Sequence, residues 1–96
     1  MKMVLIAYSE ALDEELMQAL RVGDATGFTK WTKVLGAGRS SGQHLASNVW
    51  PKANTVLAVA VDDDKVAPLM ECLRAIRREL GSEGVKAFVI PVEEAT

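Results

Sequence analysis

Residues 55–61 run Thr55-Val56-Leu57-Ala58-Val59-Ala60-Val61, without a charge and with six aliphatic side chains in seven. A strand that keeps one face in water alternates apolar and polar residues, because successive side chains point to opposite faces. This run does not alternate. Val4-Leu5-Ile6-Ala7 and Ala87-Phe88-Val89-Ile90 behave the same way. A sheet assembled from such segments requires burial on both faces, and the helices that so short a chain can supply cover only one. The second face is therefore expected to meet another subunit.

Size leads to the same conclusion. The 96 residues fit a single domain, 1–96, whose core contributes on the order of 3–5 kcal/mol of net stability. Cys72 is the only cysteine, so no intrachain disulfide supplements that core. Association is the remaining common device.

The segments between the apolar runs set the order of elements. Residues 3–8 read as a strand, closed by Ser9 as a helix cap. Glu10, Asp13, Glu14 and Glu15 follow where a helix N-terminus favours negative charge, and Leu12, Leu16, Ala19 and Leu20 recur at helical spacing up to Gly23. Thr29, Trp31, Thr32 and Val34 favour a second strand over 28–35. Three glycines within 36–42 break it, and the stretch to Asn54 carries neither period, which predicts a long loop.

After the strand at 55–61, Asp62, Asp63 and Asp64 are expected to stop the strand and cap a helix. Its stripe is Val66, Leu69, Met70, Leu73, Ile76 and Leu80, with Pro68 placed in the first turn. Arg74, Arg77 and Arg78 suit the C-terminal end of that helix, Gly81 stops it, and 85–92 forms the closing strand, with Pro91 marking an edge or an exit. The order is β-α-β-loop-β-α-β. It predicts an α+β, ferredoxin-like fold, with two helices on one face of a four-stranded antiparallel sheet.

Charge and hydropathy exclude several classes. With 11 basic and 13 acidic residues the formal charge is −2, so no basic face for nucleic acid is expected. No apolar run approaches the ~18 residues of a membrane helix, and the N-terminus lacks a signal-peptide layout. A free thiol without an export signal points to the cytoplasm.

Candidate chemistry is sparse. His44 is the only histidine, and the nearby Ser40, Ser41 and Ser47 share its loop, which gives no rigid Ser-His-Asp constellation. Cys72 falls among Met70, Leu73 and Ile76 as a core or interface thiol. Asp62-Asp63-Asp64 reads as caps and solvated charge. The chain is not expected to be an enzyme.

Two glycine segments are more informative. Gly36-Ala37-Gly38-Arg39-Ser40 follows a strand directly, and glycine lets backbone N–H groups approach a phosphate while Arg39 adds a charge-assisted contact. Gly81-Ser82-Glu83-Gly84-Val85-Lys86 delivers a lysine at the start of the last strand. No Walker pattern is present. Together the segments suit an anion or a nucleotide. Trp50 in the long loop packs against its own subunit, a neighbour or a ligand, whereas Trp31 is read as strand packing.

The βαββαβ order, the Gly36-x-Gly38-Arg39 turn entering a long loop, and Gly84-x-Lys86 entering the last strand resemble the PII signal-transduction family over nearly the whole chain. The resemblance implies a homotrimer with adenine-nucleotide sites (ATP, ADP or AMP) in the clefts between subunits. Their phosphate contacts would fall on Gly36, Gly38, Arg39, Ser40, Gly84 and Lys86. It further implies a protein partner, a membrane transporter or an enzyme, engaged through loop 40–54 with His44 and Trp50, and no insertion into the membrane.

The chain departs from the family's usual pattern in four respects. Residues 40–54 are shorter than its T-loop. Tyr8, on the first strand, is the only tyrosine, so the loop has none to uridylylate. Residues 27–36 carry one residue more, and no arginine follows Pro91. In these respects the sequence is similar to the divergent PII-like group, whose ligands vary. Two other readings stay open: a CutA-like binder of a divalent metal through His44 and carboxylates, and a dimeric α+β barrel monooxygenase.

Overall fold

The computed structural model describes residues 1–25, 27–36, 54–80 and 84–96. Strand β1 (Lys2–Ser9) leads through a single 3-10 turn (Glu10–Leu12) into helix α1 (Asp13–Val22). Strands β2 (Phe28–Val34) and β3 (Asn54–Val61) follow, then helix α2 (Asp63–Glu79) and strand β4 (Val85–Pro91). The strands form one antiparallel sheet in the order β2-β3-β1-β4, the ferredoxin-like arrangement expected from the sequence.

One face of this sheet carries the core. Val4, Ile6 and Tyr8 of β1, Leu57, Val59 and Val61 of β3, and Val85 of β4 are buried. They pack with Leu12, Leu16 and Leu20 from the first helical segment and with Leu69 and Leu73 from α2. Burial alternates along β1 and β3 although polarity does not. The intervening side chains therefore define a second face. By register it holds Met3, Leu5 and Ala7 of β1, Val56, Ala58 and Ala60 of β3, Trp31 of β2, and Phe88 and Ile90 of β4. This face is apolar, and no described helix of the chain covers it. Trp31 is 50% exposed there and Phe88 51%. Trp31 lies on a strand, as expected, and strand alternation aims it away from the helices onto this uncovered face.

Local signals are met with small shifts. The Ser9 hydroxyl accepts a hydrogen bond from the Ala11 N–H at 3.3 Å, capping the 3-10 turn. Gly23 caps α1, with its N–H donating to the Ala19 carbonyl at 3.0 Å, and the left-handed residue that follows is Asp24, φ 55°. Asp62 stands at the N-cap of α2, but its side chain makes no capping bond; its carbonyl accepts from the Lys65 N–H at 2.9 Å.

Pro68 is not in the first turn. Because α2 already starts at Asp63, the proline is interior, and it lacks the N–H that would have bonded the Asp64 carbonyl. Both residues are exposed, so that carbonyl faces water. Strand β4 ends at Pro91, one residue short of the expected boundary and on an edge of the sheet, where a missing donor costs least.

In β2, Trp31 pairs with Val56 whereas Val34 pairs with Asn54. Thr32 and Lys33 therefore oppose Thr55 alone, which is a β-bulge. The residue that β2 carries in excess of β3 is accommodated at this bulge, and Lys33 takes the left-handed conformation, φ 55°.

Candidate functional site

All four strands present an end at one pole of the sheet, and both glycine segments open there. Val34 pairs with Asn54, Asn54 pairs with Ser9, and the Ser9 N–H donates to the Gly84 carbonyl at 3.3 Å. Gly36 lies two residues beyond Val34, so it leaves from edge strand β2 while Gly84 enters edge strand β4. Three interstrand gaps of ~4.8 Å put the two edges about 14 Å apart. A single phosphate is too small to touch both within one chain.

Each glycine has a local reason. A Cβ on Gly36 would stand 2.6 Å from Asn54 Nδ2, so a bare α-carbon is required under the amide that opens β3. Gly84 has φ +86°, a backbone region open mainly to glycine. Lys86 is exposed beside it, and by strand alternation it lies on the uncovered apolar face, with Nζ 6.0 Å from the Phe88 ring centroid. The structure thus gathers Gly36, Gly84 and Lys86 at one pole. Gly38, Arg39, Ser40, His44 and Trp50 lie outside the described residues.

Sequence reasoning missed Asn54 and Ser9, which tie the strand ends together. It also missed a half-buried network just inside this pole. The Tyr8 hydroxyl donates to Asp13 Oδ1 at 2.6 Å, and Lys30 Nζ donates to the same carboxylate at 3.0 and 3.2 Å. The network joins β1, α1 and β2. Burial alone would raise the Asp13 pKa, but the hydrogen bonds from Tyr8 and Lys30 outweigh it and hold the carboxyl below its ordinary value. Burial, and then the Asp13 carboxylate, push the Tyr8 phenol well above its ordinary 10.0. The only sequence signal for this network was a tyrosine at the end of an otherwise aliphatic strand.

Elsewhere, a surface groove of about 750 Å³ runs between α1 and α2, with Met17, Val22, Cys72 and Ile76 among its lining residues. Cys72 is half-buried in it. Carboxylates Asp13, Glu14 and Glu15 line the groove against a single basic side chain, Arg21, which does not suit a phosphate. Among the described residues no group of three or more histidine, cysteine or acidic side chains could hold a metal ion. No described helix is long and apolar enough to cross a membrane.

A ferredoxin-like sheet with Gly36 and Gly84 at one pole and an open apolar face defines a class of small α+β chains. The match of residues 1–96 to the family model for nitrogen regulatory protein P-II places this chain within that class: it belongs to the P-II family. Of the readings that the sequence leaves open, this match selects the first.

Solved structures agree on the fold. The chain is 18% identical, with a TM-score of 0.73 over 99% of its length and 88% of the other chain, to CPII from Thiomonas intermedia K12 bound to ADP, AMP and acetate. Against the same PII-like protein bound to ADP, AMP and bicarbonate the values are 21% and 0.68, covering 99% and 94%. A candidate PII-like signaling protein from Thermus thermophilus matches at 22% and 0.58, covering 92% and 81%. Among curated proteins, no sequence relative matches the chain.

Proposed function

We propose that this PII-like regulatory chain is a homotrimeric sensor, not an enzyme, that binds an adenine nucleotide between subunits and signals its presence to a protein partner. The observation that carries this reading is the placement of Gly36 and Gly84 at the same pole but on opposite edges of one sheet. Each edge offers half of a phosphate cradle, and a neighbouring copy supplies the other half. The phosphate contacts assigned to Gly36, Gly38, Arg39 and Ser40 of one subunit complement those assigned to Gly84 and Lys86 of the next. The apolar second face of the sheet gives the copies a reason to associate.

Residues 40–54, with His44 and Trp50, form the reporting segment, directed at a transporter or an enzyme in the cytoplasm. The CPII structures, bound to ADP and AMP together with acetate or bicarbonate, support an adenylate as effector and a small carboxylate or bicarbonate as a companion ligand.

Isothermal titration with ATP, ADP and AMP, each with and without bicarbonate, tests the reading. Micromolar binding of one adenylate, abolished by Arg39→Ala, is the expected result. Absence of heat with all three would leave the family's scaffold without its nucleotide, and undiminished binding by Arg39→Ala would remove the assigned cradle.

A further inference from the structure

We infer that Lys33 is a phosphate-contacting residue of this nucleotide site, held in place by a strained β-bulge. The inference rests on the nucleotide reading above. Three observations converge on Lys33. Thr32 and Lys33 together oppose Thr55, so β2 carries an extra residue just before the chain leaves the sheet at Gly36. Lys33 adopts φ 55°, a conformation that its Cβ disfavours and that glycine or asparagine takes more readily. It is also exposed, and it lies on the edge strand at the pole where both glycine segments open.

Bulges beside binding sites re-aim a side chain that a regular strand would send elsewhere, and strained non-glycine residues, held by the structure around them, cluster at ligand sites. A lysine cation three residues before Gly36 matches the charge of a nucleotide phosphate. Three other described cations are already engaged: Lys30 by Asp13, Lys65 by Asp24 and Arg74 by Glu71. On the opposite edge Lys86, two residues after Gly84, pairs with Ala7 and so stands one residue farther from the pole than Lys33, which opposes Thr55 at the level of Val85. The proposed cleft therefore draws one lysine from each edge, and the ligand class is a nucleoside di- or triphosphate, because two cations on opposite walls suit more than one phosphate.

A purely structural bulge and a functional one predict opposite pairings of stability and binding. Lys33→Gly relieves the left-handed strain, so its thermal midpoint is expected at or above that of the unaltered protein. Its ADP affinity is expected to fall about tenfold, the scale of one charge-assisted hydrogen bond. Lys33→Arg keeps the charge and holds affinity within about threefold on the same scale. Lys33→Gln, matched in length, loses affinity as the glycine variant does.

Calorimetric titration with ADP, paired with thermal melts of all four proteins, reads these outcomes. Unchanged ADP affinity in both Lys33→Gly and Lys33→Gln overturns the assignment, as does aggregation with intact binding, which would make Lys33 a guard of the sheet edge. If the unaltered protein binds no ADP, the nucleotide reading and this inference fail together. If it binds ADP and the variants do too, only this inference fails.

Discussion

Tyr8 shows how one side chain can be read from several directions. It ends an aliphatic strand, its ring is among the largest fully buried side chains, and its hydroxyl is satisfied by Asp13 at 2.6 Å. Burial and the neighbouring carboxylate both oppose ionisation, so the folded phenol holds its proton more tightly than the unfolded one. The linked stabilisation is fully present below the ordinary phenol value of 10.0 and is lost as pH rises through the folded value. Asp13 works in the opposite sense. Its folded pKa is depressed, so its contribution is present above the ordinary carboxylate value of 3.8 and is lost as pH falls through the lowered one. Because Tyr8 is the only tyrosine, phenolate absorbance reports on it alone. The folded protein is expected to show no phenolate step near pH 10. Asp13→Asn should lower the midpoint part of the way and leave it above 10, because burial is the larger cause. A native-state step at the ordinary value would show that neither the burial of Tyr8 nor its bond to Asp13 persists in solution.

The elements were legible where apolar patterning is strong and obscure where backbone conformation decides. Strands β1, β3 and β4 and the stripe of α2 announced themselves because burial selects their side chains. The start of α2 was misplaced because three consecutive aspartates read as a strand stop, although only Asp62 lies outside the helix. The bulge in β2 left no mark beyond a count of one residue, since no glycine signals the left-handed position at Lys33. Of the candidate site, the glycines were visible, but their partners were not: no local pattern says that Asn54 would lie over Gly36. That contact gives an element-level prediction about the junction of β2 and β3. Gly36→Ala places a methyl group 2.6 Å from Asn54 Nδ2 and forces the amide aside, at a cost of about 1 kcal/mol in urea unfolding. In an Asn54→Ala background the same substitution is expected to cost less than half as much, since the obstructing atoms are gone. An equal cost in both backgrounds would mean that Gly36 answers to some other neighbour.

At the scale of the whole molecule, the question is what a chain does with a sheet face that it cannot cover. Trp31 and Phe88 are each half exposed on that face, and Ile90 is 42% exposed beside them. Aromatic side chains bury about 150–250 Å² when enclosed, so each of the two leaves on the order of 100 Å² in water, worth about 2–3 kcal/mol at ~25 cal/mol per Å². Those amounts are large beside the net stability of a domain this size, which makes self-association the favoured arrangement for a P-II chain with no intrachain disulfide. Phe88→Glu inserts a charge beside Leu5 and Ile90 on this face, where covering by a second copy would leave it desolvated without a partner. It alters no core contact, because Phe88 faces away from the helices and β4 lies at the sheet edge. Light scattering of the unaltered protein is expected to give three times the 10.4 kDa chain mass, and Phe88→Glu a mass near one chain with the helical signal retained. Dissociation should also abolish adenylate binding, because each cleft would lose one of its walls. A monomeric unaltered protein would leave the apolar face unexplained by association. A Phe88→Glu trimer with full affinity would show that the copies meet through some other surface.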